Sequence, residues 1–333
     1  MELVEGREFS AQLAAKLRGQ RFPLSGQWEL TCRCNLRCVM CYTDCFNSPE
    51  RIQQELSLAE IVRIIDEIQE AGCLELCLTG GEPLARRDFL DIYAYAKRKG
   101  FLLTVFTNGT LLTPRIADYW IQYPPSMIEI SLHGLSSASF ELITQARGSY
   151  ARCMAGIRML LERRLPLTLK TTGMTVNRDE ILKIKAWVDR LGRDYQTRVG
   201  YKFGSEIRAR LDGSEDVYRF QLPEAEVAAI ETADLDFRAE RARQARMTAE
   251  RLRTGQERCG SAKDRFHIDA YGQLQLCSGN RRQSYDLRHG SFQEGFYQFL
   301  PQFPCPNRQP KLSPEPLKIA GRPANRVEAE EVS

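Results

Sequence analysis

The sequence predicts an α/β fold built on a parallel sheet, and three observations support this. From about residue 26, short β-rich runs alternate with segments of helical periodicity. Polar or glycine-containing turns follow several of the β-rich runs, and glycine or proline marks the ends of several helical segments. Strands that alternate with helices of this length indicate right-handed crossovers between parallel strands.

The predicted strands and helices can be placed along the chain. Strands are predicted over 27–31, 74–79, 102–107, 127–132, 166–172 and 197–203. Helices are predicted over 58–71, 88–98, 114–122, in stretches up to 163, and over 180–191. A capping box of Ser57 and Glu60 precedes the first of these helices, and Gly72 ends it. Units of this kind form either a partial barrel or an open doubly wound sheet, which periodicity does not distinguish.

The composition excludes several classes of protein. The 333 residues are 43% hydrophobic and 27% charged, as in a globular protein. A net charge of +4 without a lysine or arginine block argues against nucleic acid, and no apolar run is long enough to span a membrane. The acidic beginning of the chain does not resemble a secretory signal. The 11 unevenly grouped cysteines therefore predict metal binding in a reducing cytoplasm rather than disulfides.

Three cysteines follow the first predicted strand with the spacing C-x3-C-x2-C, at Cys34, Cys38 and Cys41. Three thiolates on one short loop can bind one [4Fe–4S] cluster, which usually takes four cysteines. Such a loop leaves one iron open for a cofactor or substrate. The alternative is a zinc site, for which Cys32 or Cys45 would supply a fourth ligand.

Polar turns follow the next three predicted strands. They are Gly-Gly-Glu-Pro at 80–83, Thr-Asn-Gly-Thr at 107–110 and Ser-Leu-His-Gly at 131–134. Each turn alone is a common signal. Because the carboxyl ends of parallel strands meet at one edge of the sheet, where ligands bind, all of these turns should meet the cysteine loop at one pocket.

In order and spacing, these motifs resemble those of the radical S-adenosylmethionine (SAM) superfamily over roughly residues 26–210. The resemblance implies a partial (β/α)6 TIM-type barrel and an enzyme with a [4Fe–4S] cluster on the three cysteines. At such a cluster, the resemblance implies, SAM is reductively cleaved to a 5′-deoxyadenosyl radical. Glu82 and its neighbours would hold the methionine amino group. The residues implied in SAM binding are Gly80, Gly81, Glu82, Pro83, Asn108 and Ser131.

The C-terminal part resembles the SPASM or twitch extension of the same superfamily, through the pattern C-x12-G-x4-C at Cys259, Gly272 and Cys277. This implies a small α+β extension and an auxiliary [4Fe–4S] cluster on Cys259, Cys277 and Cys305. The alternative is a hairpin that binds no iron. The expected division is an N-terminal extension (1–24), a radical SAM core domain (25–222), a linker helix with the auxiliary domain (223–305) and a proline-rich, disordered tail (306–333).

Three functions remain open from the sequence. The first is modification of a peptide or protein, because SPASM-like extensions often accompany peptide maturation. This function implies a separate peptide-recognition protein and an electron donor such as flavodoxin or ferredoxin. The second is radical chemistry on a small molecule, such as a tetrapyrrole- or nucleotide-derived cofactor precursor. The third is a non-catalytic iron–sulfur redox protein, which would not need a SAM site.

Overall fold

A computed structural model of the protein describes residues 12–13, 16–17, 20–43, 48–253 and 263–303. Its strands are β1 (Ser25–Glu29), β2 (Glu75–Thr79), β3 (Leu102–Thr107), β4 (Met127–Ser131), β5 (Leu167–Thr172), β6 (Val199–Gly204), β7 (Arg265–Ile268), β8 (Gln273–Cys277) and β9 (Asn280–Asp286). They form one sheet in the order β6-β5-β4-β3-β2-β1-β7-β8-β9. All neighbours from β6 to β7 are parallel, whereas β7, β8 and β9 are antiparallel.

Helices connect the parallel strands. They are α1 (Pro49–Gln53), α2 (Leu58–Glu70), α3 (Phe89–Arg98), α4 (Pro114–Gln122), α5 (Ser137–Thr144), α6 (Ser149–Glu162), α7 (Ile181–Asp194), α8 (Glu224–Ala233) and α9 (Leu235–Arg253). The predicted capping box is present, since the Ser57 hydroxyl accepts from the Glu60 amide and the Glu60 carboxylate accepts from the Ser57 amide. The predicted alternation of strands and helices is therefore confirmed.

The two faces of the sheet differ in chemistry, and this decides between a barrel and a doubly wound sheet. One face carries apolar side chains that belong to a single core with the helices: Trp28, Leu76, Leu78, Leu103, Val105, Ile128, Ile130 and Leu169, all at most 1% exposed. The other face carries polar side chains that line open space, among them Gln27, Glu129, Lys170 and Lys202. A doubly wound sheet would have both faces covered by helices. The structure is thus a partial barrel with a polar interior.

The C-terminal strands continue the barrel sheet. Strand β7 pairs in parallel with β1, and Gly26 lies opposite Phe266. A Cβ atom on Gly26 would lie 2.2 Å from the Phe266 ring, so this close pairing requires glycine. The Phe266 ring packs against Phe292, with 4.8 Å between ring centroids. The antiparallel C-terminal strands of the predicted extension are therefore present, in direct contact with the first strand of the barrel.

The predicted charged, helical segment after residue 222 forms α8 and α9. Phe237 of α9 packs against Tyr201 and Phe203 of β6, while most of the α9 side chains are exposed. Within the described residues, none of the helices has the length and apolar character needed to span a bilayer. The predicted disordered tail (306–333) and most of the N-terminal extension lie outside the described residues.

Candidate active site

The predicted cysteine loop follows β1, and its three cysteines line one cavity of about 520 Å³. Cys34, Cys38 and Cys41 are each partly exposed. The Cys41 amide donates a hydrogen bond to the Cys38 carbonyl at 3.0 Å, which closes the end of the loop. Among the described residues, no three cysteine, histidine or acidic side chains are arranged to hold one metal ion.

Cys32 does not join these three cysteines. Its sulfur lies 3.2 Å from a carboxylate oxygen of Glu55 and accepts a hydrogen bond from the Tyr271 hydroxyl at 3.2 Å. Burial, together with the neighbouring Glu55 carboxylate, raises the pKa of this thiol to about 11. Cys45, the other candidate for a fourth zinc ligand, lies outside the described residues.

Backbone contacts hold the cysteine loop from two sides. On one side, the Val39 amide donates to the Ile143 carbonyl near the end of α5, at 2.9 Å. On the other side, the Arg210 guanidinium donates to the Cys41 carbonyl at 3.0 Å and forms an ion pair with Asp216. Arg210 lies far from the loop in sequence, so no local signal could have predicted this contact.

The glycine turn after β2 packs directly against the cysteine loop. The Gly81 amide donates to the Thr31 carbonyl at 2.8 Å, and the Glu82 amide donates to the Arg33 carbonyl at 2.7 Å. A Cβ atom on Gly81 would lie 2.3 Å from the Arg33 oxygen, and one on Gly80 would lie 2.4 Å from the Thr31 oxygen. The glycines are thus needed for contact between two loops, and both also line the cavity.

Glu82 is completely buried, behind the cavity wall rather than on it. Its carboxylate accepts hydrogen bonds from the Thr107 hydroxyl at 2.7 Å and from the amides of Asn108 at 2.6 Å and Leu84 at 3.1 Å. Burial raises its pKa to about 7 against the opposing effect of these hydrogen bonds. Pro83 is also buried, in the short helical turn that follows. Glu82 therefore joins the turns after β2 and β3, and no cation of the described residues pairs with it.

Asn108 and Ser131, at the ends of β3 and β4, line the same cavity as the cysteines. The Asn108 side-chain amide donates to the Asn35 side-chain oxygen at 2.9 Å, and it lies 3.8 Å from the Cys34 sulfur. The predicted convergence of four strand ends is thus present in the structure for the cysteine loop, the glycine turn and these two side chains.

Charged side chains on the inner wall of the barrel line this cavity and the space next to it. Glu129 of β4 is only 4% exposed and forms ion pairs with Lys202 at 2.6 Å and Lys170 at 3.6 Å. His133, at the rim, accepts a hydrogen bond from the Thr172 amide at its Nδ1 atom. Burial, assisted by Lys170, lowers the pKa of His133 to about 4, so this imidazole is neutral.

Comparison with known proteins gives a family match for most of the barrel. Residues 28–188 match the family model described as the radical SAM superfamily. The matched region, just under half of the chain, is a radical SAM domain. It is 34% identical over 165 residues to the AdoMet-dependent heme synthase of Methanosarcina barkeri, a match that covers 50% of this chain and 47% of the relative. It is 29% identical over 165 residues to the PqqA peptide cyclase of Gluconobacter oxydans, covering 49% of this chain and 44% of the relative. The chain therefore aligns with about half the length of these relatives.

The fold is similar to that of two solved structures. The crystal structure of Streptococcus suis SuiB has a TM-score of 0.65 and 14% identity, with 90% of this chain and 74% of that chain covered. The structure described as anSMEcpe with bound AdoMet has a TM-score of 0.63 and 14% identity, with coverage of 84% and 82%. These likenesses support the partial barrel.

A second, larger chamber of about 1530 Å³ lies inside the barrel. At its edge, the Arg281 guanidinium forms a two-bond ion pair with Glu29, at 2.8 and 2.5 Å. The Nε2 atom of His267 lies 3.4 Å from the same carboxylate, and its Nδ1 atom is 2.9 Å from the Gln275 side-chain oxygen. Burial opposes ionisation of Glu29, but His267 and Arg281 outweigh it and lower the Glu29 pKa to about 2.

The auxiliary-cluster residues are only partly described. Cys277 ends β8 and lines the larger chamber rather than the cavity of the three cysteines. Cys259 and Cys305 lie outside the described residues. The auxiliary cluster therefore stays a prediction from the sequence.

Proposed function

We propose that this protein is a radical SAM enzyme whose cluster and cofactor occupy the 520 Å³ cavity. The observation that carries the proposal is the shared lining of that cavity by residues from successive strand ends. When bound there, the [4Fe–4S] cluster and SAM supply a 5′-deoxyadenosyl radical. The cluster ligands would be Cys34, Cys38 and Cys41, and the SAM-binding residues would be Gly80, Gly81, Asn108 and Ser131.

The protein's own residues orient and shield this site. Arg210 and the end of α5 hold the cysteine loop, which fixes the direction of its thiols. Glu82 fixes the glycine turn relative to Asn108, and its uncompensated carboxylate favours a cationic ligand group near the turn. We assign the methionine ammonium of SAM to this position. The role of Glu82 is thus electrostatic and structural, exerted from within the wall.

We further propose that the substrate is a peptide or a protein. The chamber of about 1530 Å³ adjoins the cysteine cavity and exceeds the roughly 300–1000 Å³ typical of small-molecule sites. The similarity to PqqA peptide cyclase supports this substrate class, as does a structure of similar fold, SuiB bound to precursor peptide SuiA. A separate peptide-recognition protein and a flavodoxin or ferredoxin as electron donor complete the proposal.

A tetrapyrrole-like cofactor precursor is the second candidate substrate. The identity of 34% with AdoMet-dependent heme synthase favours it. The two candidates are separable by turnover. Incubation with precursor peptides encoded near the gene should change the mass of one of them. Conversion of an iron porphyrin, with no change in any peptide, would select the second candidate.

The radical chemistry itself is tested anaerobically. The protein is reconstituted with iron and sulfide, reduced and given SAM, and 5′-deoxyadenosine and iron are measured. The Cys34/Cys38/Cys41→Ala variant should form no 5′-deoxyadenosine, whereas Cys73→Ala, a buried cysteine outside the cavity, should behave as wild type. Iron retained by the triple variant would reveal an auxiliary cluster. A wild-type cluster that neither binds nor cleaves SAM would instead support a redox protein and contradict the proposal.

A further inference from the structure

The chamber inside the barrel is directly continuous with the cysteine cavity. The two spaces share lining residues from opposite walls of the barrel, including Tyr42, Phe106 and Arg208. Tyr42 follows the third cysteine, and the Arg281 guanidinium lies 5.6 Å from the centre of its ring. A substrate in the chamber would therefore reach the cysteine cavity past Tyr42 and Arg208.

The lining of the chamber is strongly basic. Its acidic residues are Glu75 and Glu206, and its basic residues are Lys202, Arg208, Arg210, Arg265, Arg281 and Arg282. A cleft in which charges of one sign predominate attracts ligands of the opposite sign. The charge distribution thus indicates an anionic substrate group.

Three of these basic side chains already have close acidic partners. Arg281 pairs with the buried Glu29, and Lys202 pairs with the buried Glu129. Arg210 pairs with Asp216 and also holds the cysteine loop. An incoming anion would have to compete with carboxylates fixed in the wall, so these residues are poor candidates for the main contact.

Arg208 differs because its acidic partner is exposed. Its guanidinium lies 3.2 Å from Glu206, a side chain that is 73% exposed. An exposed ion pair of this kind contributes about 0–1 kcal/mol, so a ligand can replace it at little cost. Arg208 extends across the opening toward the β8–β9 turn, where its Nη1 atom would lie 3.1 Å from a Cβ atom on Gly279.

We propose that Arg208 binds a carboxylate of the substrate at the boundary between the chamber and the cysteine cavity, in place of Glu206. This inference rests on the proposed peptide-modifying function and specifies its substrate class as a peptide with an acidic side chain close to the modified residue. Guanidinium and carboxylate form paired, charge-assisted hydrogen bonds, which would fix the position of the peptide beside the cavity.

The test measures binding to the reconstituted full-length protein with SAM present, under anaerobic conditions. The probe is fluorescein-labelled hexaglutamate, followed by fluorescence anisotropy, with labelled hexaglutamine as the uncharged comparison. The variants are Arg208→Gln and Glu206→Gln. The matched control is Arg243→Gln, because Arg243 forms an exposed ion pair with Glu240 on α9, away from both cavities.

Hexaglutamate should bind more tightly than hexaglutamine. Arg208→Gln should weaken its binding by about tenfold or more, the factor expected from one lost hydrogen bond to a charged group. Glu206→Gln should strengthen binding, because it removes the competing carboxylate. The Arg243→Gln variant should bind like the wild type. Unchanged binding in both Arg208→Gln and Glu206→Gln would overturn the proposal. Poor folding of a variant could weaken binding, but it could not produce the tighter binding expected for Glu206→Gln.

Two further results would also decide whether Arg208 binds a carboxylate of a peptide substrate. Competition by free citrate as strong as that by hexaglutamate would assign the site to small carboxylates and overturn the peptide assignment. Loss of SAM binding in Arg208→Gln, with hexaglutamate binding unchanged, would assign Arg208 to the cofactor and overturn the proposal. The same samples are assayed for 5′-deoxyadenosine. Arg208-dependent binding without any SAM cleavage would contradict the proposed enzyme while retaining the carboxylate site.

Discussion

The buried carboxylate of Glu82 should make the protein less stable as the pH rises, and Glu82→Gln should abolish this effect. In the folded protein, burial raises the pKa of Glu82 from 4.5 to about 7. Folding therefore takes up a proton between these two values. Stability from this group is fully present below pH 4.5, declines as the pH rises, and is lost above about 7.

The size of the effect follows from the same two values. The rise in pKa from 4.5 to about 7 corresponds to about 3 kcal/mol of unfolding free energy, at about 1.4 kcal/mol per pH unit. Glutamine cannot ionise, so the variant lacks this dependence. Its amide group would face the Asn108 amide donor and cost about 1–3 kcal/mol. That cost does not depend on pH, so the two effects can be separated.

The assay is urea unfolding of the cluster-free protein at several pH values between about 4 and 8, for wild type and Glu82→Gln. The difference in unfolding free energy between them should change by about 3 kcal/mol over this interval. Glu162→Gln, at an exposed position on α6, controls for the substitution itself. A difference that stays constant with pH would refute the assignment of Glu82 as a buried carboxylate without a cation.

Three further predictions concern close contacts in the barrel. Gly81→Ala would place its Cβ atom 2.3 Å from a backbone oxygen of the cysteine loop, so we expect reconstituted protein to lose iron and SAM binding, measured by iron content and equilibrium dialysis. Gly26→Ala should lower the unfolding free energy by about 1–3 kcal/mol in urea titrations, because the methyl group overlaps the Phe266 ring. Glu29→Gln should cost about 3–5 kcal/mol in the same titrations, since it leaves the largely buried Arg281 without its carboxylate. Wild-type values in any of these variants would contradict the corresponding contact.

Local signals in the sequence predicted most of the barrel's elements. The bounds of β3 and α4 agree with the predicted 102–107 and 114–122, where a glycine precedes the strand and Thr113 with Pro114 begins the helix. The first strand was predicted over 27–31 but is Ser25–Glu29. Its bounds depend on pairing with β2 and β7, which are distant in sequence. Parallel pairing of β7 with β1 likewise has no local signal.

The sequence predicted that the motifs at the strand ends would meet at one cavity, but it did not predict the individual side-chain contacts there. The order of the motifs along the chain predicted that Asn108 and Ser131 would meet the cysteine loop, and both line its cavity. The sequence did not indicate that the Glu82 side chain lies behind the wall, because that depends on how two turns pack. Arg208 and Arg210 were also not predicted, since they approach from the segment after β6.

The pairing of β7 with β1 has a consequence for how the protein is made. During synthesis, β1 emerges well before β7, its parallel partner on one side. Until β7 is translated, that edge of β1 exposes unpaired backbone groups, and such edges promote association between chains. The cysteine loop follows directly from β1. A nascent chain that received iron before β7 was translated would therefore bind it while the barrel sheet was still incomplete. Contacts this distant in sequence also slow folding, so we expect the proposed cluster to be inserted after the whole sheet has formed.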